Sequence, residues 1–370
     1  MSPWAGPSVP VLPARRLRGR SPGRGDDRIV FFNTWYRGHN NARYSELLPR
    51  LERVDSYLLT FPGRRLLRYP AEWAWRATRD AVEPAVLRAA ARRYRYGFVT
   101  DPAQLPSLAV PCVVDVDEPH FEQPEPLNAP NVAAYVVTDE SAAREYERLG
   151  VERPWHVVPQ GVALESLTDA AVAEVARRHR EPGTCVVGYL AAYLLVSGDR
   201  GGANVMYNVE HLLALWSELA GRDPSLRLWL LGNAGPNLRR RCAERSDVVV
   251  FGRIPRDRLL SYVANFDIAL YPRTNGRGVR ASKVAEYFGA GVPVVSYDYP
   301  VVADVRAAGA GVLVETPREF VEAVELLARD PARRGGLAAA AREAGLQRDW
   351  RVLAERYAEI LDERLPRSRR

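Results

Sequence analysis

Short apolar runs alternate with stretches of helical periodicity along most of this chain. The alternation is typical of parallel sheets whose strands are joined by helical crossovers. In the first half, the apolar runs predict strands at 28–35, 54–61, 96–101, 111–117, 133–139 and 155–161. In the second half, they predict strands at 185–191, 226–232, 247–253, 266–272, 292–298 and 310–315. We therefore expect an α/β protein with two successive doubly wound parallel sheets.

The segments between these runs predict the helices and the domain boundaries. Apolar residues at helical spacing predict helices at 42–52, 81–94, 140–149, 205–220, 255–264, 282–290, 318–329, 333–345 and 349–365. We expect a disordered tail rich in proline and arginine at 1–27, a first domain at 28–170, a linker at 171–184, a second domain at 185–346 and a final helix at 347–365. The tail lacks a continuous apolar segment, so we do not expect a secretory signal.

Composition excludes several classes of protein. The chain has 370 residues, 47% hydrophobic and 26% charged, which is ordinary for a soluble globular protein. Its net charge is +7, but the arginines are dispersed among acids, so we expect no nucleic-acid partner. Three scattered cysteines, Cys112, Cys185 and Cys242, form no metal-binding spacing and suit a reducing cytoplasm. We therefore expect a cytoplasmic protein that requires no metal.

One segment leaves a membrane partner open. Residues 63–80 combine five arginines with Trp73 and Trp75. A peripheral helix on an anionic membrane has this composition. An ordinary helix that covers a domain core has it too. Contact with the inner face of a membrane remains the alternative to a purely cytoplasmic location.

A single lysine stands in the stretch RASKVAEYFGAGVPVV, residues 280–295. Lys and Arg together number 52, and only Lys283 is a lysine. It is either a chance survivor of a bias toward arginine or a position where a compact ammonium must meet a phosphate. Main-chain N–H groups around Ala281 and Ser282, at the predicted helix start, would favour an anion. Glu286 could accept hydrogen bonds from the vicinal hydroxyls of a ribose, or simply favour the helix N-terminus.

Other nucleotide-binding motifs are absent from the sequence. Neither predicted sheet opens with G-x-G-x-x-G after its first strand, and no G-x-x-x-x-G-K-[ST] occurs. These absences disfavour a dinucleotide oxidoreductase and a P-loop ATPase. Ligands of open parallel sheets bind beyond the carboxyl ends of the strands, so we expect the site in a cleft between the two sheets.

Several motifs together resemble family 4 glycosyltransferases. VPQGV (158–162) resembles the step that ends their N-terminal domain. GYL (188–190), LWLLG (228–232), 248–272 and KVAEYFGAGVPVVSYD (283–298) resemble, in order, their C-terminal domain. The resemblance implies a GT-B fold, with two Rossmann-like domains facing a cleft and a final helix that crosses back onto the first domain. It also implies transfer of a sugar from a nucleotide-diphosphate sugar, with retention of anomeric configuration and no other cofactor.

The resemblance implies roles for residues of the second domain. Glu286 would hold the ribose, and Lys283 would meet the diphosphate. A second basic group is expected after the first strand, where the sequence has Arg200. The remaining donor-binding positions that it implies are Gly188, Gly252, Arg253, Ile254, Ala281 and Ser282.

The sequence departs from the family at one donor-binding position. Where the family has a glutamate eight residues before Glu286, this chain has Gly278. The loop around it is basic, so Arg277 or Arg280 would supplement Lys283 or remain solvated. Contacts to the donor sugar must therefore differ from those of the family.

The first domain is expected to bind the acceptor. The turn after its first strand is unusually polar and offers Gly38, His39, Asn40, Asn41 and Arg43. A second polar group, VVDVDEPHF (113–121), ends the fourth predicted strand and contains Asp115, Asp117, Glu118 and His120. A base, for which Asp117 is the candidate, or a ligand for a sugar oxygen could come from here, or these residues could serve turn and cap chemistry. Both interpretations stay open.

Two other functions fit the same resemblance. One is a nucleotide-sugar epimerase of the same fold, such as the non-hydrolysing 2-epimerases. The other is a nucleotide-sugar-binding protein without catalysis, suggested by Gly278. In a retaining transferase the leaving phosphate can itself take the acceptor proton, so the sequence need not display a side-chain base.

Overall fold

The computed structural model describes residues 15–16, 27–33, 42–58, 84–85, 87–89, 92–117, 119, 121–199, 207–274 and 282–367. The chain divides into two compact units. The first unit comprises residues up to 159 together with those from 351 onward, and the second comprises residues 160–350.

The first unit contains a seven-stranded sheet. Its strands are β1 (Arg15–Arg16), β2 (Ile29–Asn33), β3 (Val54–Leu58), β4 (Tyr96–Val99), β5 (Cys112–Val116), β6 (Val132–Val137) and β7 (Trp155–Val157). Their order across the sheet is β1-β3-β2-β4-β5-β6-β7. All neighbours are parallel except β1 and β3. The six strands predicted for the first half are therefore confirmed.

The expectation of a wholly disordered tail at 1–27 needs correction. Arg15 and Arg16 pair in antiparallel register with Leu58 and Tyr57, so this part of the tail covers the outer edge of β3. Such pairing satisfies backbone groups that an edge strand would otherwise expose. Residues 1–14 and 17–26 lie outside the described residues.

The second unit contains a six-stranded sheet in which all neighbours are parallel. Its strands are β8 (Cys185–Leu194), β9 (Leu226–Ala234), β10 (Val248–Gly252), β11 (Ile268–Tyr271), β12 (Val294–Tyr297) and β13 (Gly311–Val314). The order is β10-β9-β8-β11-β12-β13. The chain thus moves outward from β8 to β10, returns, and moves the other way from β11 to β13. The point where it reverses lies between β8 and β11.

Helices cover both faces of the sheets. In the first unit they are Ala42–Leu47, Leu105–Leu108 and Glu140–Arg148. The C-terminal helix Trp350–Arg364 also belongs to the first unit, except for its first residue. Those of the second unit are Asp169–His179, Val209–Arg222, Pro236–Cys242, Arg256–Val263, Ser282–Gly289, Ala303–Ala308, Pro317–Arg329 and Pro331–Leu346. None of the described helices is long and apolar enough to cross a membrane.

The boundary between the units differs from the predicted linker at 171–184. Most of that segment is the helix Asp169–His179, and the hydroxyl of Thr168 accepts a hydrogen bond from Ala171 N at 3.3 Å at its N-terminus. Val175 on this helix is buried in the second unit. The units divide instead after residue 159, within VPQGV. The polar composition of the segment reflects a helix with one narrow buried face rather than a linker.

Candidate functional site

The reversal point of the second sheet lies beside the only lysine of the chain. In open parallel sheets, ligands bind outside the carboxyl ends of the strands where the strand order reverses. Lys283 lies in the first turn of the helix Ser282–Gly289, which follows β11. It contacts Tyr189 on β8 and Tyr271 at the end of β11, the two strands that flank this point. The fold thus brings Lys283 to the expected ligand position of the unit.

Three tyrosine rings surround the ammonium of Lys283. Its Nζ lies 4.7 Å from the ring centroid of Tyr189, 5.1 Å from that of Tyr207 and 5.2 Å from that of Tyr271. Ring faces attract a cation, but they do not replace an anion. Among the described residues, the ammonium makes a single hydrogen bond, to Tyr189 Oη at 3.4 Å, and no ion pair. We call these three rings and Lys283 the tyrosine cage.

A second cation lies next to the cage. Arg273 follows β11, is only 6% exposed, and donates from Nη1 to Tyr271 Oη at 3.4 Å. Burial of the amine, together with the positive charge of Arg273, lowers the pKa of Lys283 from 10.5 to about 7. Two cations held close together in a partly buried position favour the binding of an anion.

The backbone that carries Arg273 is held from two sides. Asn208 Nδ2 donates to Pro272 O and to Thr274 Oγ1, both at 3.0 Å. Tyr299 Oη donates to Thr274 O at 3.1 Å. Residues 272–274 are therefore fixed where the chain leaves β11.

The walls of the tyrosine cage are also held by hydrogen bonds. Tyr189 Oη donates to Tyr207 O at 2.6 Å, which links β8 to the chain preceding the helix Val209–Arg222. Tyr287 Oη accepts from Leu190 N at 3.0 Å and donates to Leu270 O at 3.3 Å, so it bridges β8 and β11. Burial raises the pKa values of Tyr189 and Tyr287, and both therefore remain neutral at physiological pH.

Glu286 lies one helical turn after Lys283. It is 7% exposed, and its Oε1 lies 3.5 Å from Nη2 of Arg256. Positions three apart face the same side of a helix, so Lys283 and Glu286 share one face of Ser282–Gly289. Ser282, the first residue of this helix, is exposed. Arg256 was not anticipated from the sequence and compensates the charge of the carboxylate.

Three of the predicted donor-binding residues, Gly252, Arg253 and Ile254, lie at the carboxyl end of β10. Gly252 has a φ of +79°, a left-handed conformation that favours glycine. A Cβ at this position would stand 3.0 Å from Arg239 Nη2. Arg253 is exposed and Ile254 is half-buried. Backbone groups of the segment therefore lie at the same edge of the sheet as the tyrosine cage.

The prediction that Gly188 binds the donor needs correction. Gly188 lies within β8, and a Cβ there would stand 2.1 Å from the ring of Phe266. It pairs with Trp229 on β9 and Ala269 on β11. Close packing by Phe266 explains the glycine, so its small size does not indicate a ligand.

Asp199, which anchors the loop after β8, was not identified from the sequence. Asp199 is buried and accepts from Val196 N at 3.1 Å and from Asn237 N at 2.7 Å. A Cβ on Gly235 would stand 2.1 Å from the Asp199 carboxylate, so only glycine fits there. This carboxylate fixes the chain immediately before Arg200.

The expectation that Arg43 binds the acceptor is wrong. Arg43 and Asp115 are both fully buried. Arg43 Nε donates to Asp115 Oδ2 at 2.9 Å, and the guanidinium also donates to Pro159 O and Val158 O, each at 2.9 Å. Tyr357 of the C-terminal helix accepts from Arg43 and donates to Asp115 Oδ2 at 2.7 Å. Arg43 therefore joins parts of the first unit and does not reach a ligand.

Asp117 retains an accessible position in the first unit. It follows β5 directly and is half-buried. Burial raises the pKa of Tyr44, and the negative charge of Asp117 adds to that rise. Asp117 thus lies at the carboxyl edge of the first sheet, where the sequence placed it.

The other predicted site residues lie outside the described residues, as does the segment 63–80. They are Gly38, His39, Asn40, Asn41, His120, Arg200, Arg277, Gly278, Arg280 and Ala281. In the described part of the chain, no group of three His, Cys, Asp or Glu side chains could hold a metal ion.

Most of the second unit matches a known protein family. Residues 199–330 match the family described as Glycosyl transferases group 1, a stretch that contains Tyr207, Arg273, Lys283 and Glu286. A search of curated proteins finds no match.

Solved structures share the architecture over nearly the entire chain. HepE of Anabaena, in complex with UDP, has a TM-score of 0.70 at 13% identity, covering 91% of this chain and 100% of that chain. The protein has the GT-B fold. Sucrose-phosphate synthase from Thermosynechococcus elongatus has a TM-score of 0.67 at 15% identity, covering 92% of this chain and 96% of that chain. WaaG, a glycosyltransferase involved in lipopolysaccharide biosynthesis, has a TM-score of 0.63 at 12% identity, covering 90% of this chain and 98% of that chain.

These comparisons confirm the resemblance to GT-B glycosyltransferases and the predicted pair of doubly wound sheets. Arg273 and the three tyrosines of the cage are the site residues that the sequence analysis missed. Arg273 could have been found as a charged residue directly after a buried strand. The tyrosines could not, because their approach to Lys283 depends on the pairing of β8 with β11.

Proposed function

We propose that the protein is a GT-B glycosyltransferase that moves a sugar from a nucleotide-diphosphate sugar to an acceptor hydroxyl. One observation carries the proposal. Lys283 lies at the reversal point of the second sheet, next to Arg273, without an ion pair among the described residues. The stretch that holds it matches glycosyl transferases group 1. Such an arrangement suits a diphosphate that enters from solvent.

Lys283 would act on the leaving group. As the bond between sugar and phosphate breaks, negative charge grows on the diphosphate. A compact ammonium fixed by three rings can meet one phosphate oxygen without moving far. The broad planar head of arginine would hold its charge differently among these rings, which would favour lysine at this position.

Glu286 would hold the ribose of the nucleotide. Its carboxylate lies on the same helix face as Lys283, one turn further from the helix start. One of its oxygens faces Arg256, so the ribose hydroxyls would use the other oxygen or share the first. Backbone groups of 252–254, at the same sheet edge, would contact the base.

We propose a uridine nucleotide as the donor and retention as the stereochemical outcome. The structure of HepE was determined with UDP and with UDP-glucose, and this chain shares its fold. Retention follows the resembling family. The leaving phosphate would accept the proton of the acceptor hydroxyl, and Asp117 of the first unit would contact the acceptor.

A thermal-shift screen of UDP-, GDP- and ADP-sugars tests donor binding, because a ligand that binds only the folded state raises its stability by mass action. We expect UDP-sugars to give the largest shift. Glu286→Gln should reduce that shift, whereas Glu322→Gln, on the exposed face of Pro317–Arg329, should leave it unchanged. Equal shifts in both variants would contradict the ribose assignment.

Turnover distinguishes transfer from the alternatives. A transferase releases UDP only when an acceptor is present. An epimerase would convert the donor without releasing stoichiometric UDP, and a binding protein would do neither. Either of those outcomes would overturn the proposed reaction and leave the donor site in place.

A further inference from the structure

Arg273 and Lys283 converge on one tyrosine. Arg273 donates to the hydroxyl of Tyr271 at 3.4 Å, while the ammonium of Lys283 lies 5.2 Å from the centroid of the same ring. Arg273 is nearly buried, so water screens its charge poorly. The two side chains therefore repel each other across Tyr271.

The repulsion cannot be relieved by a shift of the local backbone. Asn208 and Tyr299 hold residues 272–274, and Tyr287 holds β8 against β11. Lys283 responds instead by binding its proton less tightly. An anion placed near both groups would reverse this, because it would favour the charged ammonium.

We propose that Arg273 is a second cationic ligand of the donor diphosphate, and that the diphosphate binds with uptake of one proton from solvent by Lys283. This inference rests on the proposed function. Arg273 holds a permanent charge at the site, since a guanidinium does not lose its proton near neutral pH. Lys283 gains its charge when the diphosphate arrives.

Among the residues that the structure describes, the groups that face Lys283 leave it as the one that takes up the proton. They are Tyr189 from β8, Tyr207 from the chain before Val209–Arg222, and Tyr271 and Arg273 from β11 and its end. Burial raises the pKa values of Tyr189 and Tyr271, so these hydroxyls keep their protons at neutral pH. On the same helix, Glu286 is paired with Arg256.

Calorimetry with UDP-glucose at pH 8 measures the proton directly. Titrations in two buffers that differ in ionisation enthalpy give the number of protons taken up for each ligand bound. UDP-glucose is a suitable probe because its diphosphate is esterified at both ends and does not titrate near neutral pH. With a pKa of about 7, Lys283 is mostly neutral at pH 8, so we expect uptake of close to one proton. At pH 6 we expect almost none.

Three variants separate the contributions of Arg273 and Lys283 to UDP-glucose binding and to proton uptake. Arg273→Gln should weaken UDP-glucose binding about tenfold or more and reduce the uptake at pH 8, because Lys283 loses its repelling neighbour. Lys283→Met should abolish the uptake. Arg318→Gln removes an arginine whose side chain is 86% exposed on the helix Pro317–Arg329, and should change neither quantity.

The outcomes separate this inference from the proposed function. If wild-type protein binds UDP-glucose and Arg273→Gln binds it equally well with the same uptake, the role of Arg273 is wrong while the proposed function stands. Binding by wild-type protein without proton uptake would contradict the coupling alone. A wild-type protein that binds no UDP-glucose would contradict both.

Discussion

Each unit contains a cation with limited access to water, the fully buried Arg43 in the first and the half-buried Lys283 in the second, and the two have different kinds of partner. Arg43 of the first unit meets a carboxylate, two backbone carbonyls and a tyrosine hydroxyl, all within hydrogen-bonding distance. Lys283 of the second unit meets three ring faces and one hydroxyl, with Arg273 nearby. The first charge is neutralised within the fold, whereas none of the described residues forms an ion pair with the second.

The difference separates a structural cation from a ligand-binding one. Withdrawing a charge from water is costly unless partners replace the lost hydration. At Arg43 the partners are present, which accounts for a pKa raised above its ordinary value by Asp115 despite the opposing effect of burial. At Lys283 the pKa falls instead. A cation that the fold leaves uncompensated is one that an incoming anion can stabilise.

The largest effect is expected where the compensated pair is broken. Asp115→Ala would leave the charge of Arg43 buried without its carboxylate. Removing one partner of a buried ion pair costs about 3–5 kcal/mol, and we expect a loss of this size in the free energy of unfolding, measured by urea denaturation. Glu145→Gln removes the partner of Arg148 on the surface, where water screens the pair, and should leave the free energy of unfolding nearly unchanged. A similarly small loss for Asp115→Ala would contradict the structural role of Arg43.

Arg43 also shows where sequence reasoning fails. Its polar neighbours suggested a ligand, yet its partners Asp115 and Tyr357 lie 72 and 314 positions away in sequence. No local pattern predicts such contacts. The positions of the strands along the chain and the existence of the two sheets could be predicted, because burial of each strand on both faces produces continuous apolar runs.

The donor site was predictable only where its residues lie close together in the sequence. Lys283 and Glu286 lie in one helix, so their common face follows from spacing alone. Tyr189, Tyr207 and Arg273 reach the site from three other segments. Gly188 was assigned to the donor by resemblance alone, whereas in the structure the close approach of the Phe266 ring accounts for the glycine.

A smaller but specific effect is expected from Lys283→Arg. Arginine keeps the charge, but its wide planar head would shift that charge away from the position that the ammonium occupies among the three rings. We expect turnover with the true donor to fall at least about tenfold, which corresponds to about 1.4 kcal/mol, with a modest loss of donor affinity. Arg318→Lys, the reverse exchange on an exposed helix face, should have no effect. Turnover equal to wild type would indicate that Lys283 is a chance survivor.

Lys283 should also make the stability of the protein depend on pH. The pKa of Lys283 is lowered from 10.5 to about 7 in the folded protein, so between these values the unfolded chain binds more protons at this group. Stability contributed by the group therefore rises with pH across that window. Lys283→Met removes the effect, and its stability relative to wild type should decrease as the pH is raised from about 7 to about 9.5. Urea denaturation of both proteins at the two pH values measures this, and a constant difference would argue against the lowered pKa.

The central claim is that Lys283 binds the diphosphate of the donor, and a comparison of UDP with uridine tests it most directly. Calorimetry would give the dissociation constants of both ligands for wild-type protein and Lys283→Met. The ligands differ only in the diphosphate, so a contact with that group must affect one and spare the other. We predict that Lys283→Met weakens UDP binding at least about tenfold and leaves uridine binding unchanged. Equal weakening of both ligands, or of neither, would contradict the claim.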